Sequence, residues 1–210
     1  MLHQQTVTAT CLAIINKIME TENLARFRLA GGTALALKYG HRTSEDIDMF
    51  SESDFENDWL KKELGKIFPG GRVTQWRDMS FGIFCYLDSI KTDFMFWNDE
   101  YIAPAEIRDT IRMAADPDLF ALKLNAAFDR KSKKDFIDIA LLTDIYGLPQ
   151  GLEWYKQKFP YNDEIIPLKS LLHFEKADAE PDPYLFLHFN WPDCKQTITS
   201  AVKEIITKEE

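Results

Sequence analysis

The chain has 210 residues, a formal net charge of −9, and 45% hydrophobic and 28% charged residues, the composition of a globular protein able to bury a core of its own. No apolar run approaches the ~20 residues that cross a bilayer, and the acidic balance excludes indiscriminate binding to polyanions, so no DNA partner is expected. The N-terminal MLHQQTVTATCLAII lacks a basic start and a small-residue cleavage site, and the three cysteines, Cys11, Cys85 and Cys194, lie far apart. A reducing cytoplasm is expected.

In chain order, Cys11, Ile14, Ile15 and Ile18 repeat at helical spacing and predict a helix over 8–22. RFRLA (26–30) predicts a short strand running into Gly31-Gly32, and TALALKY (33–39) a helix that begins at the glycines and ends on Gly40. The polar GHRTSE leads to DIDMF (46–50), whose alternation predicts a strand. Phe55, Trp59, Leu60, Leu64 and Ile67 predict a helix over 54–68, stopped by Pro69-Gly70-Gly71. RVTQWRD (72–78), SFGIFCYLD (80–88) and IKTDFMFW (90–97) predict a three-stranded meander. Helical patterns then take over: APAEIRDTIRMA (103–114), DPDLFALKLNAAFDR (116–130) with Asp116 as cap and Pro117 behind it, and KKDFIDIALLTDIYG (133–147), which ends on Gly147. Further helices are predicted near 152–159, 162–173 and 193–208, the last two separated by the acidic, proline-bearing loop EKADAEPDPY (175–184). The expected fold class is α+β, with a mixed sheet and flanking helices over 1–103 and a helical lobe over 104–210.

Gly31-Gly32-Thr33 at a helix start offers what a phosphate needs: close backbone approach, unpaired amides, the positive end of the helix dipole and a hydroxyl. An ordinary tight turn would read the same way. Asp46 and Asp48 project from one face of a strand while Ile47 turns to the core. Like charges so placed are costly unless a cation lies between them, and Mg²⁺ takes one or two carboxylates together with substrate phosphates. The alternative is a solvated strand end. Asp93 interrupts an apolar strand and is the candidate third carboxylate, ahead of Asp88, which suits a turn. Lys123, Arg130, Lys131, Lys133 and Lys134 form the clearest basic patch, open to reading either as a polyanion contact or as a solvated helix end. Asp135 and Asp138 share a helix face, and Lys123 could meet Asp138 in an inter-helix ion pair or reach into the cleft. The histidines, His3, His41, His173 and His188, show no metal-ligand spacing.

Gly-Gly-Thr, then Asp46-Ile47-Asp48, then an Asp on a later strand resembles the DNA-polymerase-β-like nucleotidyltransferase superfamily. More narrowly, GGTALALKYGHRTSEDIDMF (31–50) together with DLFALKLNAAFDRKSKKDFIDIALL (118–142) resembles the AbiEii/AbiGii toxin family of nucleotidyltransferases. The first block carries Gly-Gly-Thr, Arg42-x-Ser44 and Asp46-x-Asp48; the second carries Asp118, Lys123 and Lys134-Asp135-x-x-Asp138.

The resemblance implies a nucleotidyltransferase-like sheet whose helical lobe completes the active-site cleft. It implies Mg²⁺- or Mn²⁺-dependent transfer of a nucleoside monophosphate from an NTP to an acceptor, with RNA, in particular the 3′ end of tRNA, as that acceptor. The biological role implied is the toxin of a bacterial toxin–antitoxin or phage-defence system, paired with an antitoxin. Asp46, Asp48 and Asp93 would hold metal, with Asp93 also accepting the hydroxyl proton. Gly31, Gly32, Thr33, Arg42, Ser44 and Lys123 would seat the nucleotide. Arg130, Lys131, Lys133 and Lys134 would meet the acceptor, with Asp135 and Asp138 in support. Two rival readings are a catalytically silent nucleotide-binding module and a small-molecule nucleotidyltransferase of the antibiotic-modifying kind.

Overall fold

The protein is described from a computed structural model covering residues 1–97, 100–186 and 190–209, so His188 lies outside the described residues. Its contacts divide the chain into two units, Met1–Ala114 and Ala115–Glu210.

The first unit is built on one mixed sheet. Its strands are β1 (Arg28–Ala30), β2 (Ile47–Ser51), β3 (Val73–Met79), β4 (Gly82–Leu87), β5 (Ile90–Phe96), β6 (Glu106–Arg108) and β7 (Ile111–Met113), in the order β3-β4-β5-β2-β1-β7-β6. The expected meander is present as β3-β4-β5, each pair antiparallel. β2 runs parallel to β5 and antiparallel to β1, and β1 runs parallel to β7. Helices α1 (Ala9–Glu20), α2 (Gly31–Tyr39) and α3 (Asn57–Ile67) belong to the same unit. Thr8 caps α1 by accepting from the Cys11 amide at 3.1 Å, and the helix buries Cys11, Ile14, Ile15, Ile18 and Met19. Leu29, Ile47, Met49, Ile83 and Phe94 carry the core across the sheet.

Residues 103–114, expected as a helix, form the hairpin β6-β7 instead. Asp109 takes the left-handed conformation at the turn (φ 55°), which Asp tolerates better than most residues. Ile111 and Met113, two apart and both buried, face the core, and β7 adds to the sheet through Leu29↔Met113. Pairing with β1 overrides the helical propensity of Ala, Glu and Arg. The helical lobe accordingly begins at Ala115 and not at residue 104.

The second unit contains α4 (Asp116–Asp129), α5 (Lys133–Tyr146), α6 (Leu148–Lys158), α7 (Ile165–Ser170), α8 (Glu175–Asp178) and α9 (Trp191–Glu209). Ala115, not Asp116, is the N-cap of α4, and Pro117 stands in its first turn. The helix expected over 162–173 is the shorter α7, and the 175–184 loop contains α8. Phe120, Leu124, Phe136, Ile139 and Leu142 are fully buried. No helix among the described residues is long and apolar enough to cross a membrane.

Candidate active site

The two glycines give way to this chain's own charged side chains. Gly31 has φ 64°, and a Cβ there would stand 2.0 Å from Asp48 Oδ2; at Gly32 it would stand 2.2 Å from Arg42 Nη2. Only glycine therefore lets the first turn of α2 receive a carboxylate at one position and a guanidinium at the next. A carboxylate against a helix N-terminus is favoured by the helix dipole.

Thr33, Ser44 and Arg42 hold this turn to the loop before β2. Their exposures are 1%, 7% and 1%. The Thr33 hydroxyl is shared between Ser44 Oγ, at 2.8 Å, and the carbonyl oxygen of Asp46. Arg42 Nη1 donates to the Thr43 carbonyl at 2.9 Å. The Ser44 amide donates to the Thr6 carbonyl at 2.8 Å, so the loop is also pinned to the N-terminal segment. In this arrangement the three side chains are internal braces, whereas a phosphate donor was expected of Thr33 and Ser44.

Asp48 and Asp93 are register partners on the parallel pair β2-β5, which sets their side chains next to each other on one face. Asp93 is 6% exposed, as its apolar surroundings suggested, and Asp48 is half-buried. Asp46 is exposed and stands one residue ahead of β2. Asp88, by contrast, sits at the β4-β5 turn with φ 46° and pairs with Arg72 Nε at 2.7 Å.

Sequence reasoning missed Lys91. It lies two residues before Asp93 on β5 and therefore on the same face, and its ammonium is 2.6 Å from Asp93 Oδ2. Burial pulls the Lys91 pKa down, but the hydrogen bond to Asp93 and the fields of Asp93, Asp46 and Asp48 outweigh it and hold the group above the ordinary lysine value. The period-two rule applied to Asp46 and Asp48 finds Lys91 equally well when applied to IKTD.

Among the described residues no group of three or more His, Cys, Asp and Glu is arranged to hold a metal ion. The expected set of Asp46, Asp48 and Asp93 is instead a side-by-side pair, Asp48 and Asp93, with Asp46 at the mouth of the strand and Lys91 among them. Two adjacent carboxylates fit Mg²⁺, which completes its octahedron with water and substrate phosphate. The cysteines take no part: burial pushes all three thiols up to about 12.

In the second unit Lys123 is buried, with its ammonium 2.9 Å from Asp135 Oδ1 and 2.7 Å from Asp138 Oδ2. Arg130 reaches Asp135 Oδ1 at 3.2 Å. The ion-pair alternative for Asp135 and Asp138 is thus present, joining α4 to α5. Lys133, expected in an acceptor-binding patch, is buried: its ammonium donates to the Glu180 carbonyl and to Asp182 Oδ1 at 2.8 Å, and its amide donates to Glu180 Oε2 at 2.8 Å. The acidic 175–184 loop is therefore a strap over α5's first turn. Arg130 and Lys134 stay exposed, and Lys131 is half-buried.

A glycine-opened helix start beside two in-register carboxylates on a mixed sheet defines a nucleotidyltransferase-type α+β protein. A family model described as "Nucleotidyl transferase AbiEii toxin, Type IV TA system" matches residues 16–74 of this chain. The Aquifex aeolicus (strain VF5) protein aq_aa25 is 32% identical over 186 residues, covering 86% of this chain and 88% of its own. Two Helicobacter pylori crystal structures share the fold at 18% identity. One, assigned as a nucleotidyltransferase, has a TM-score of 0.59 over 98% of this chain and 94% of its own. The other, JHP933, has a TM-score of 0.54 over 95% and 92%.

Proposed function

We propose that this nucleotidyltransferase moves a nucleoside monophosphate from an NTP to the 3′ end of an RNA, tRNA in particular, in a Mg²⁺- or Mn²⁺-dependent reaction, as the toxin of a toxin–antitoxin or phage-defence system. The register of Asp48 on Asp93 beneath the Gly31-Gly32 turn carries the chemical part of this reading. Asp48 and Asp93, with Asp46 beside them, would hold the divalent ion, which when bound supplies charge neutralisation for the triphosphate and the departing pyrophosphate. Gly31 and Gly32 let the Asp48 carboxylate and the Arg42 guanidinium lie against the first turn of α2, and the triphosphate would bind beside them. Arg42, Thr33 and Ser44 hold that turn in place, which is a positioning role. The cytoplasm is the compartment this chemistry needs, since NTPs and RNA are found there.

Incubation with labelled NTPs, Mg²⁺ and total RNA tests the reading. Label on RNA 3′ ends is expected, with a fall of about 10²-fold or more in Asp48→Asn, the scale of losing one main electrostatic contributor. Tight NTP binding without incorporation, or label only on an aminoglycoside added to the assay, overturns it. The same assay on Lys123→Met tests the triphosphate role implied for that lysine. Unchanged incorporation by a folded variant rejects that role.

A further inference from the structure

Continuing the β2-β5 register one step beyond Ile47↔Thr92 sets Asp46 across from Lys91, just as Asp48 stands across from Asp93. The four side chains form a block on one sheet face, with three carboxylates and one ammonium. Lys91 Nζ holds Asp93 at 2.6 Å, and the lysine side chain is 44% exposed, so it has a route out to solvent. Close-set carboxylates demand a cation, and here the chain supplies its own.

We propose that the Lys91 ammonium is a resident counter-cation of the Asp46, Asp48 and Asp93 group, and that a divalent metal binds there by exchange with it. This rests on the metal-dependent reading above. The exchange has a definite purpose in physical terms. Without metal, three like charges at the edge of the core would repel one another, and the lysine keeps the group compact and its geometry preset. An ammonium and a divalent ion cannot share Asp93 Oδ2 without strong repulsion in a partly desolvated site, so metal entry displaces the lysine into solvent. The register places Lys91 beside Asp93 on its own strand and across from Asp46, with Asp48 next to Asp93, which is the placement a shared counter-ion requires.

Mn²⁺ titration followed by electron paramagnetic resonance, on the full chain without nucleotide, tests the exchange. Lys91→Met is expected to bind Mn²⁺ about tenfold more tightly than wild type, the effect of removing one screened positive charge next to a divalent ion. Lys91→Arg, which retains the charge, is expected to stay within about threefold of wild type on the same screened-charge argument. A merely structural lysine gives the opposite sign, because its loss would loosen the carboxylates and weaken Mn²⁺ binding. In wild type, amine labelling of Lys91 read by mass spectrometry is expected to rise when Mn²⁺ is added. Equal or weaker Mn²⁺ binding by Lys91→Met, or unchanged Lys91 labelling at saturating Mn²⁺, overturns the exchange while leaving the metal site standing. No Mn²⁺ binding by any form, with or without NTP, overturns the metal reading and the exchange together.

Discussion

Gly31 and Gly65 show how differently one residue type can be used. Gly31 has φ 64° and no room for a Cβ, which would overlap the Asp48 carboxylate at 2.0 Å. Gly31→Ala must shift that carboxylate and also hold a left-handed backbone, which costs about 1–2 kcal/mol by itself. Loss of about 2 kcal/mol or more in urea unfolding is expected, together with weakened Mn²⁺ binding; a variant as stable as wild type would mean that the Gly31–Asp48 contact is not tight. Gly65 lies within α3 and a Cβ there meets nothing within 4 Å. Gly65→Ala should therefore stabilise by about 0.5–1 kcal/mol through helix propensity alone. The glycine pair was legible as a site of close approach, but what approaches could not be read: a guanidinium from the loop before β2, and a carboxylate brought there by the pairing of Ala30 with Asp48.

At the scale of elements, strands with strong alternation and long amphipathic helices were legible, because their periodicity is local. The β6-β7 hairpin was not, since its decisive contact is Leu29↔Met113, far away in sequence. Asp48 and Asp93 could each be suspected from a charge within an apolar strand, yet their side-by-side placement follows from a parallel pairing that no local pattern encodes. The α4-α5 link was half legible: spacing put Asp135 and Asp138 on one face, and the structure adds that Lys123 serves both from a buried position. Lys123→Met would leave two buried carboxylates, with Arg130 still on Asp135. A loss of about 3–5 kcal/mol in unfolding free energy is expected, as for other buried charges stripped of a partner. Adding Asp138→Asn should restore a good part of it, because a buried carboxylate that lost the lysine goes too. A loss under about 1 kcal/mol for the single variant would show that the three side chains are not packed as described.

For the molecule as a whole, the charge balance limits how the proposed RNA acceptor can be held. With 25 Lys and Arg against 34 Asp and Glu, the far field repels a polyanion. Attraction must come from a local basic surface, and the expected one is smaller than its sequence suggests: the acidic strap of Glu180 and Asp182 takes Lys133 out of it. Arg130, Lys131 and Lys134 remain there, and Arg130 is partly neutralised by Asp135. Each phosphate contact to single-stranded RNA contributes about −0.7 to the slope of log affinity against log salt, so this patch alone supports a slope no steeper than about −2. KCl titrations with a fluorescent RNA ending in a free 3′ hydroxyl measure that slope directly. The expected result is a shallow dependence that falls towards zero in Lys131→Glu/Lys134→Glu. A steep slope that survives those substitutions would move the acceptor to another face of the protein, since no other arrangement of the three residues could produce it.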